Sequence, residues 1–217
     1  MHAIRSRAIG LVAALVVGLA ARAAAQSMST MSQSQPSISA PDLRVALNAL
    51  LAEHIYLAGA ATGAALAGRT AEFQAAAGAL DSNSVALSSA IGMIYGGDAG
   101  SAFLALWRKH IGFVVDYTTG VATKTKAKQD KAVQDLLGYA TDFGAFLNSA
   151  CPGLPTSVVA ELVRGHITSL KTVIDAQAAN DPAVYNNIRM AAAHMQMIAD
   201  PLAAAIAKQF PERFASR

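Results

Sequence analysis

Three short stretches of the chain share the dipeptide His-Ile: EHIYL at residues 53–57, KHIGF at 109–113 and GHITS at 165–169. Their histidines, His54, His110 and His166, are separated by two equal intervals of 56 residues. The whole sequence contains 5 histidines, so three of them on one period indicate an internal repeat. The residues around each histidine decide what kind of structure repeats.

Apolar residues recur on the same period and step by three and four around each histidine. This spacing is typical of the buried seam of a helix. In the second helix of each unit Leu87 matches Phe143, and the third unit matches through Leu202 only after a slip of about three residues. We interpret the chain as three helical hairpins descended from one. The layers placed in register are Leu47, Phe103 and Val159, followed by Leu50, Leu106 and Leu162.

An alanine-rich composition with few strand formers predicts helix throughout residues 41–214. The sequence therefore predicts an all-α fold, a six-helix bundle built from three helical hairpins with a 56-residue internal repeat. If three of the helices surround one axis, their histidines meet at one height; an open array would keep them apart. Glycine and proline joints divide the bundle into helices at 41–67, 70–95, 98–123, 127–149, 155–179 and 182–209.

Residues 1–25 have the pattern of a secretory signal peptide: a short positive start, an apolar run and a small-residue cleavage site near Ala25. Residues 26–40 are rich in Ser and Gln without periodicity, which predicts a disordered tether. The domain from 41 to 214 is then exported, either to a periplasm or into the medium. We expect no later stretch to be long and uncharged enough to span a membrane.

The balance of charges argues against nucleic-acid binding, and the single cysteine adds no sign of a function. The signal peptide holds 3 of the 17 basic residues, which leaves 14 basic against 14 acidic residues in the mature chain. A neutral chain lacks the electrostatic footprint of a nucleic-acid-binding protein. Cys151 is the single cysteine, and we interpret it as a small residue before the Pro152-Gly153 turn.

The repeated histidines lie in otherwise apolar stripes, where leucine would pack more simply. We therefore expect His54, His110 and His166 to act as metal ligands, although a duplicated hydrogen bond in the core is the alternative. A second, softer set is predicted at Met190, His194 and Met197, which fall on one face of a helix. Thioether and imidazole ligands favour copper, with iron or zinc as further candidates and non-covalent haem less favoured.

Polar residues near these histidines are candidates to orient the imidazoles from behind, since a ligating histidine commonly donates its second N–H to a carboxylate. The set comprises Glu53, Asp81, Asn83, Asp116 and Tyr117.

The sequence lacks the HExxH, P-loop, GxGxxG and GxSxG motifs, and no pair of helices carries the Glu-x-x-His spacing of di-iron proteins. The leading hypothesis is thus an exported, non-enzymatic bundle that binds a transition metal, copper first. One alternative is a structural or interaction module that binds a small hydrophobic ligand or a protein partner. The other is a His-rich metalloenzyme.

Four phrases, LLAEHIYLAG, ALDSNSVALSSAIGMIYG, LWRKHIGFVVDYT and AIAKQFPERF, resemble an uncharacterised family of exported bacterial all-helical proteins. Some members of that family are joined to domains similar to the copper amine oxidase N-terminal region. The resemblance covers most of residues 43–214 and implies an exported helical protein without an established activity. Trp107, His110, Tyr117, Asp81 and Asn83 match the family's phrases.

Overall fold

Seven longer helices and one short one follow each other along residues 39–214, the part of the chain that the computed structural model describes. Every regular element in that part is a helix, which confirms the all-α prediction. The predicted signal peptide and residues 26–38 of the predicted tether lie outside it. The helices are α1 (Ala40–Leu66), α2 (Thr70–Tyr95), α3 (Gly97–Ala122), α4 (Lys126–Ala150), α5 (Thr156–Ala178), α6 (Val184–His194), α7 (Gln196–Gln209) and α8 (Pro211–Phe214).

Helix α1 begins within the last residues that were predicted to be a tether. The Ser39 side chain accepts a hydrogen bond of 3.2 Å from the backbone N–H of Asp42, and Pro41 lies in the first turn. A serine cap followed by a first-turn proline is a strong helix start, because each satisfies or removes a donor that the helix leaves unpaired. Ala40, predicted as the last residue of the tether, is the first residue of the helix.

One kind of turn joins the members of each hairpin. The helix ends in a residue with positive φ, and the next backbone N–H bonds to the carbonyl five residues earlier, as in a Schellman motif. These short turns hold the two helices of each hairpin antiparallel, so α1, α3 and α5 run in the same direction. The positive-φ residues are Gly68 (69°), Lys124 (52°) and Asn180 (54°).

The three helices that carry the repeated histidines surround a common axis. Helices α1, α3 and α5 contact one another in the centre. Helix α2 packs between α1 and α3, α4 packs between α3 and α5, and α6 with α7 closes the ring between α5 and α1. This arrangement decides between the two packings that the sequence left open, because an open array would not bring α1 against both α5 and α7.

The predicted sixth helix at 182–209 is wrong, since the structure has two helices that meet at Met195. Around this residue the backbone bonds shorten to three-residue spacing, from Met195 N–H to the Ala192 carbonyl (3.2 Å) and from Ile198 N–H to the Met195 carbonyl (3.1 Å). We attribute the break to Pro201, which lies inside α7 and has no N–H for the Met197 carbonyl.

The buried layer next to the histidines also differs from the predicted one. Leu51, Trp107 and Val163 are buried at 3–5% exposure, each three residues before a histidine. The predicted residues sit one position earlier and are only partly buried, because the inward face of each helix is rotated relative to the assumed seam. The rotation brings the single tryptophan into the core beside His110. The displaced residues are Leu50, Leu106 and Leu162.

Helix α1 is long and apolar enough to cross a membrane by length and composition, contrary to the expectation from the sequence. Core helices of water-soluble proteins meet the same criterion, and 44% of the most apolar window of α1 is buried in the bundle. Its inward residues pack against five other helices of the bundle.

Helices α4 and α5 cross closely where Gly144 meets Thr156. A Cβ atom at Gly144 would lie 2.5 Å from the Thr156 carbonyl oxygen, so the helices would have to separate. We expect Gly144→Ala to lower the free energy of unfolding by about 1–3 kcal/mol, measured by urea denaturation. Gly138→Ala on the same helix is the matched control, since no atom lies within 4 Å of its Cβ position. The control should gain about 0.5–1 kcal/mol, and equal effects of both substitutions would refute the crossing argument.

Candidate metal centre

His54, His110 and His166 converge in the middle of the bundle. One ring nitrogen from each lies within 4.8 Å of the others, and the three residues are only 1–4% exposed. The ring centres of His54 are 5.4 Å from His110 and 5.8 Å from His166, while His110 and His166 are 6.3 Å apart. The three imidazoles therefore surround one point, as the parallel course of α1, α3 and α5 requires.

The ring nitrogens of this triad are poorly satisfied. No residue that the structure describes makes a hydrogen bond to Nδ1 or Nε2 of His54, to Nδ1 of His110 or to Nδ1 of His166. A buried polar group without a partner costs about 1–3 kcal/mol. Three such imidazoles beside one another form a group that could hold a metal ion.

Burial keeps the triad uncharged. It lowers the pKa of His54 to about 3, with a further contribution from His166, and it lowers the pKa of His166 to about 4, with a contribution from His194. The pKa of His110 lies well below its ordinary value for the same main reason, and the other two histidines act in the same direction while the Trp107 backbone opposes them. All three imidazoles are thus neutral near pH 7, which is the form that binds metal ions.

Two aromatic side chains enclose the triad, and the sequence did not predict this role for either. The Trp107 ring centre is 4.5 Å from His110 and 5.0 Å from His54. The Tyr139 ring stacks on His110 at 4.8 Å. Both the Trp107 Nε1 and the Tyr139 hydroxyl are buried without a partner among the described residues. Both residues line a small cavity together with His110 and His166.

The outer helices contribute one buried side chain each at the height of the triad: Asn83, Tyr139 and Met195. They are 56 residues apart, so the period that located the histidines was sufficient to find them. The sequence-based choice of methionines overlooked Met195, because spacing along an isolated helix does not tell which face meets the core.

Two small cavities adjoin the triad, and His110 and His166 line both of them. The one toward the start of the inner helices has a volume of about 30 Å³ and is also lined by Trp107, Tyr139 and Met195. The one toward their ends has a volume of about 20 Å³. Each has room for about one water molecule or an ion.

The structure does not bring the predicted second ligand set to the triad. Met190 and Met197 are each 56% exposed. His194 packs on Gly165 of α5, where a Cβ would come within 2.8 Å of its ring, and its Nε2 lies 3.0 Å from the Leu162 carbonyl oxygen. His194 thus makes the kind of hydrogen bond that was the alternative for the three repeated histidines.

The residues that were expected to orient the imidazoles have other partners. Asn83 donates to the Glu53 carboxylate (2.7 Å) and to the Leu50 carbonyl (3.0 Å). Asp81 forms an ion pair with Arg108 at 2.7 Å, and Asp116 is exposed. The Tyr117 hydroxyl donates to Asp175 at 2.7 Å, although its ring lines the smaller cavity. No carboxylate among the described residues bonds to a triad nitrogen, so the centre carries no negative charge of its own.

Comparison with family models, with curated proteins and with solved structures gave no match to this chain. The resemblance to exported helical proteins therefore stays a prediction. The function has to be argued from the chemistry of the triad and its surroundings.

Proposed function

We propose that this protein is an exported, non-enzymatic helical bundle that binds one transition metal ion, copper first, through His54, His110 and His166. The observation that carries the proposal is the convergence of three buried, neutral imidazoles with unsatisfied nitrogens on one point. Three histidines are a common ligand set for copper and zinc. Met190 and Met197 take no part in this site, since both side chains are exposed.

The charge of the site favours copper(I) over divalent ions. The cost of burying an ion in an apolar medium is electrostatic and rises with the square of its charge, and three neutral imidazoles coordinate the ion without cancelling any of that charge. A monovalent ion therefore suits this centre better than Zn²⁺, Fe²⁺ or Cu²⁺. The thioether of Met195, which lines the adjoining cavity, is a soft ligand of the type that copper(I) prefers.

The size of the cavities supports a binding role over catalysis. A metalloenzyme needs an open coordination position that a substrate can reach. The two cavities beside the triad hold about 30 and about 20 Å³, which is too little for an organic substrate. The same volumes give no support to bound haem.

A second candidate function is supported by a larger apolar groove between α1, α2 and α3. It has a volume of about 470 Å³, within the range of small-ligand sites. Ala58, Ala61 and Ala65 form one wall and Ile111 and Val114 another. The alternative of a module that binds a small hydrophobic ligand would use this groove, and the histidines would then serve the core. Binding of an apolar fluorescent probe would test it. Ala61→Trp should fill the groove and so reduce the binding of the probe.

We further propose that the bundle consists of three copies of one hairpin on a strict 56-residue period, without the slip that Leu202 suggested. The supporting observation is that Leu87, Phe143 and Ala199 are equivalent on that period and all buried. The three Schellman turns fall on it as well. Equivalent crossings join Ser88 to Gly100, Gly144 to Thr156 and Asp200 to Arg44.

Elemental analysis of untagged protein, purified from the compartment to which the natural host exports it, tests the metal proposal. We expect one metal ion per chain, copper above zinc, and complete loss of that metal in His110→Leu. His194→Leu is the matched control, because it removes a histidine that bonds to the backbone outside the triad. Metal-free parent protein that also fails to take up Cu(I) in reconstitution would contradict the proposal.

A further inference from the structure

The smaller cavity connects the triad with side chains that reach solvent. His110 and His166 line its inner part, and Tyr117 and Lys171 line it one to two turns further along α3 and α5. The Lys171 side chain is 43% exposed. The gap between α3 and α5 is therefore a short route from the surface to the buried imidazoles.

Three side chains close this gap. The Tyr117 hydroxyl donates to one oxygen of the Asp175 carboxylate at 2.7 Å. The Lys171 ammonium donates to the other oxygen at 2.5 Å and lies 5.3 Å from the centre of the Tyr117 ring. Tyr117 belongs to α3 and the other two to α5, so the hydrogen bond from Tyr117 ties the two helices together across the mouth of the cavity.

The neighbouring gap between α5 and α1 is closed without charged groups. Thr62 bonds to the Gln177 side chain at 2.8 Å, and Gln177 donates to the Gly59 carbonyl at 2.7 Å. Neither of these two bonds involves a carboxylate, so they place no anionic group in the path of a cation that approaches this gap. Asp175, in contrast, is an anionic group at the α3–α5 gap, where it bonds to Tyr117 and Lys171, two residues that line the cavity leading to the triad.

We propose that metal ions reach the triad through the gap between α3 and α5, with Asp175 as the first anionic group on the way and with Tyr117 and Lys171 as the gate. This inference rests on the proposed metal-binding function. The exchange is non-covalent: the incoming cation replaces the Lys171 ammonium on the carboxylate, and Lys171 turns to solvent with its charge unchanged. Tyr117 then releases Asp175, the helices part at this level, and the ion moves to the imidazoles.

The test compares the rate of Cu(I) exchange with the affinity for Cu(I). Release from the loaded protein to an excess of a chromogenic Cu(I) chelator gives the rate, and competition at equilibrium gives the affinity. We expect Tyr117→Phe to accelerate release roughly tenfold, since it removes one hydrogen bond to a charged group, while the affinity changes less than twofold. Thr62→Val is the matched control, because it removes the corresponding bond of the α5–α1 gap, and its release rate should equal that of the parent.

A second readout needs no metal. Deuterium exchange at the C2–H of each histidine in the metal-free protein, followed by mass spectrometry, reports the access of water to the imidazoles. Tyr117→Phe should accelerate exchange at His110 and His166, and Thr62→Val should not. Unchanged exchange in Tyr117→Phe, or equal acceleration by both variants, would overturn the gate even if the protein binds copper. A parent protein that binds no copper would instead overturn the proposed function, while this readout still decides whether the gap opens.

Discussion

Lowering the pH from 7 to 5 is expected to remove roughly 6 kcal/mol from the free energy of unfolding of the metal-free protein. The origin of the effect is the buried triad. The pKa of His54 is about 3 and that of His166 about 4 in the folded state, and the pKa of His110 is also well below its ordinary value. In the unfolded chain all three return to about 6.5.

The sign follows from which state binds protons. Below pH 6.5 the histidines of the unfolded chain bind protons and those of the folded protein do not, so acid favours unfolding. This acid destabilisation is absent above pH 6.5 and grows as the pH falls toward the folded pKa values. Each histidine accounts for about 2 kcal/mol between pH 7 and pH 5, and the three together for the total above. The loss is a large fraction of the free energy of unfolding of a folded domain, which is typically about 5–15 kcal/mol.

Urea unfolding followed by circular dichroism at pH 7, 6 and 5, with a chelator present throughout, measures this loss. His110→Leu serves as a control because it removes one of the three titrating groups, and its loss should be smaller by about a third. The ion pair between Arg44 and Asp200 lowers the pKa of that carboxyl below its ordinary acidic value, so it titrates outside this window. A parent protein whose stability is unchanged from pH 7 to pH 5 would show that the triad is already solvated.

Most of the helices could be predicted because local residue patterns in the sequence mark where each one begins and ends. The first five helices end within two residues of the predicted positions, where glycine, proline or a cap residue interrupts an alanine-rich segment. The convergence of His54, His110 and His166 was also accessible, since an equal spacing on parallel helices places the side chains at one height. The sequence lacked only the information that the three helices surround an axis.

The details that could not be predicted depend on which face of a helix turns inward. Met190 and Met197 share a face with His194 in an isolated helix, yet in the bundle both methionines are exposed and Met195 enters the core. Trp107 was one position away from the assumed seam, and the small rotation of α3 brings it against His110. Packing between helices fixes such rotations, so neither composition nor spacing along one helix reveals them.

The second large effect is expected from His54→Leu, which should make the metal-free protein more stable and abolish copper binding. Neither ring nitrogen of His54 has a partner among the described residues, and the residue is 1% exposed. Leucine has a similar volume and no polar group, so at pH 7.5 the substitution should add about 1–3 kcal/mol to the free energy of unfolding. The loss of one of three ligands should weaken copper binding by more than the roughly 10–100-fold that loss of an outer hydrogen-bond partner costs a metal site.

The order of stability of the two proteins should reverse when copper is supplied. Free Cu(I) at about 1,000 times the dissociation constant of the parent adds about 4 kcal/mol to its stability, while the variant gains almost nothing. Thermal unfolding with chelator and with buffered Cu(I) measures both orders in one experiment. If the histidines instead hold one another through ordered water, His54→Leu breaks that network, and the variant should be less stable than the parent under both conditions. The metal-free measurement thus separates the two roles of the triad. His54→Leu raises the stability if the triad is a metal site, and lowers it if the triad is a structural hydrogen-bond network.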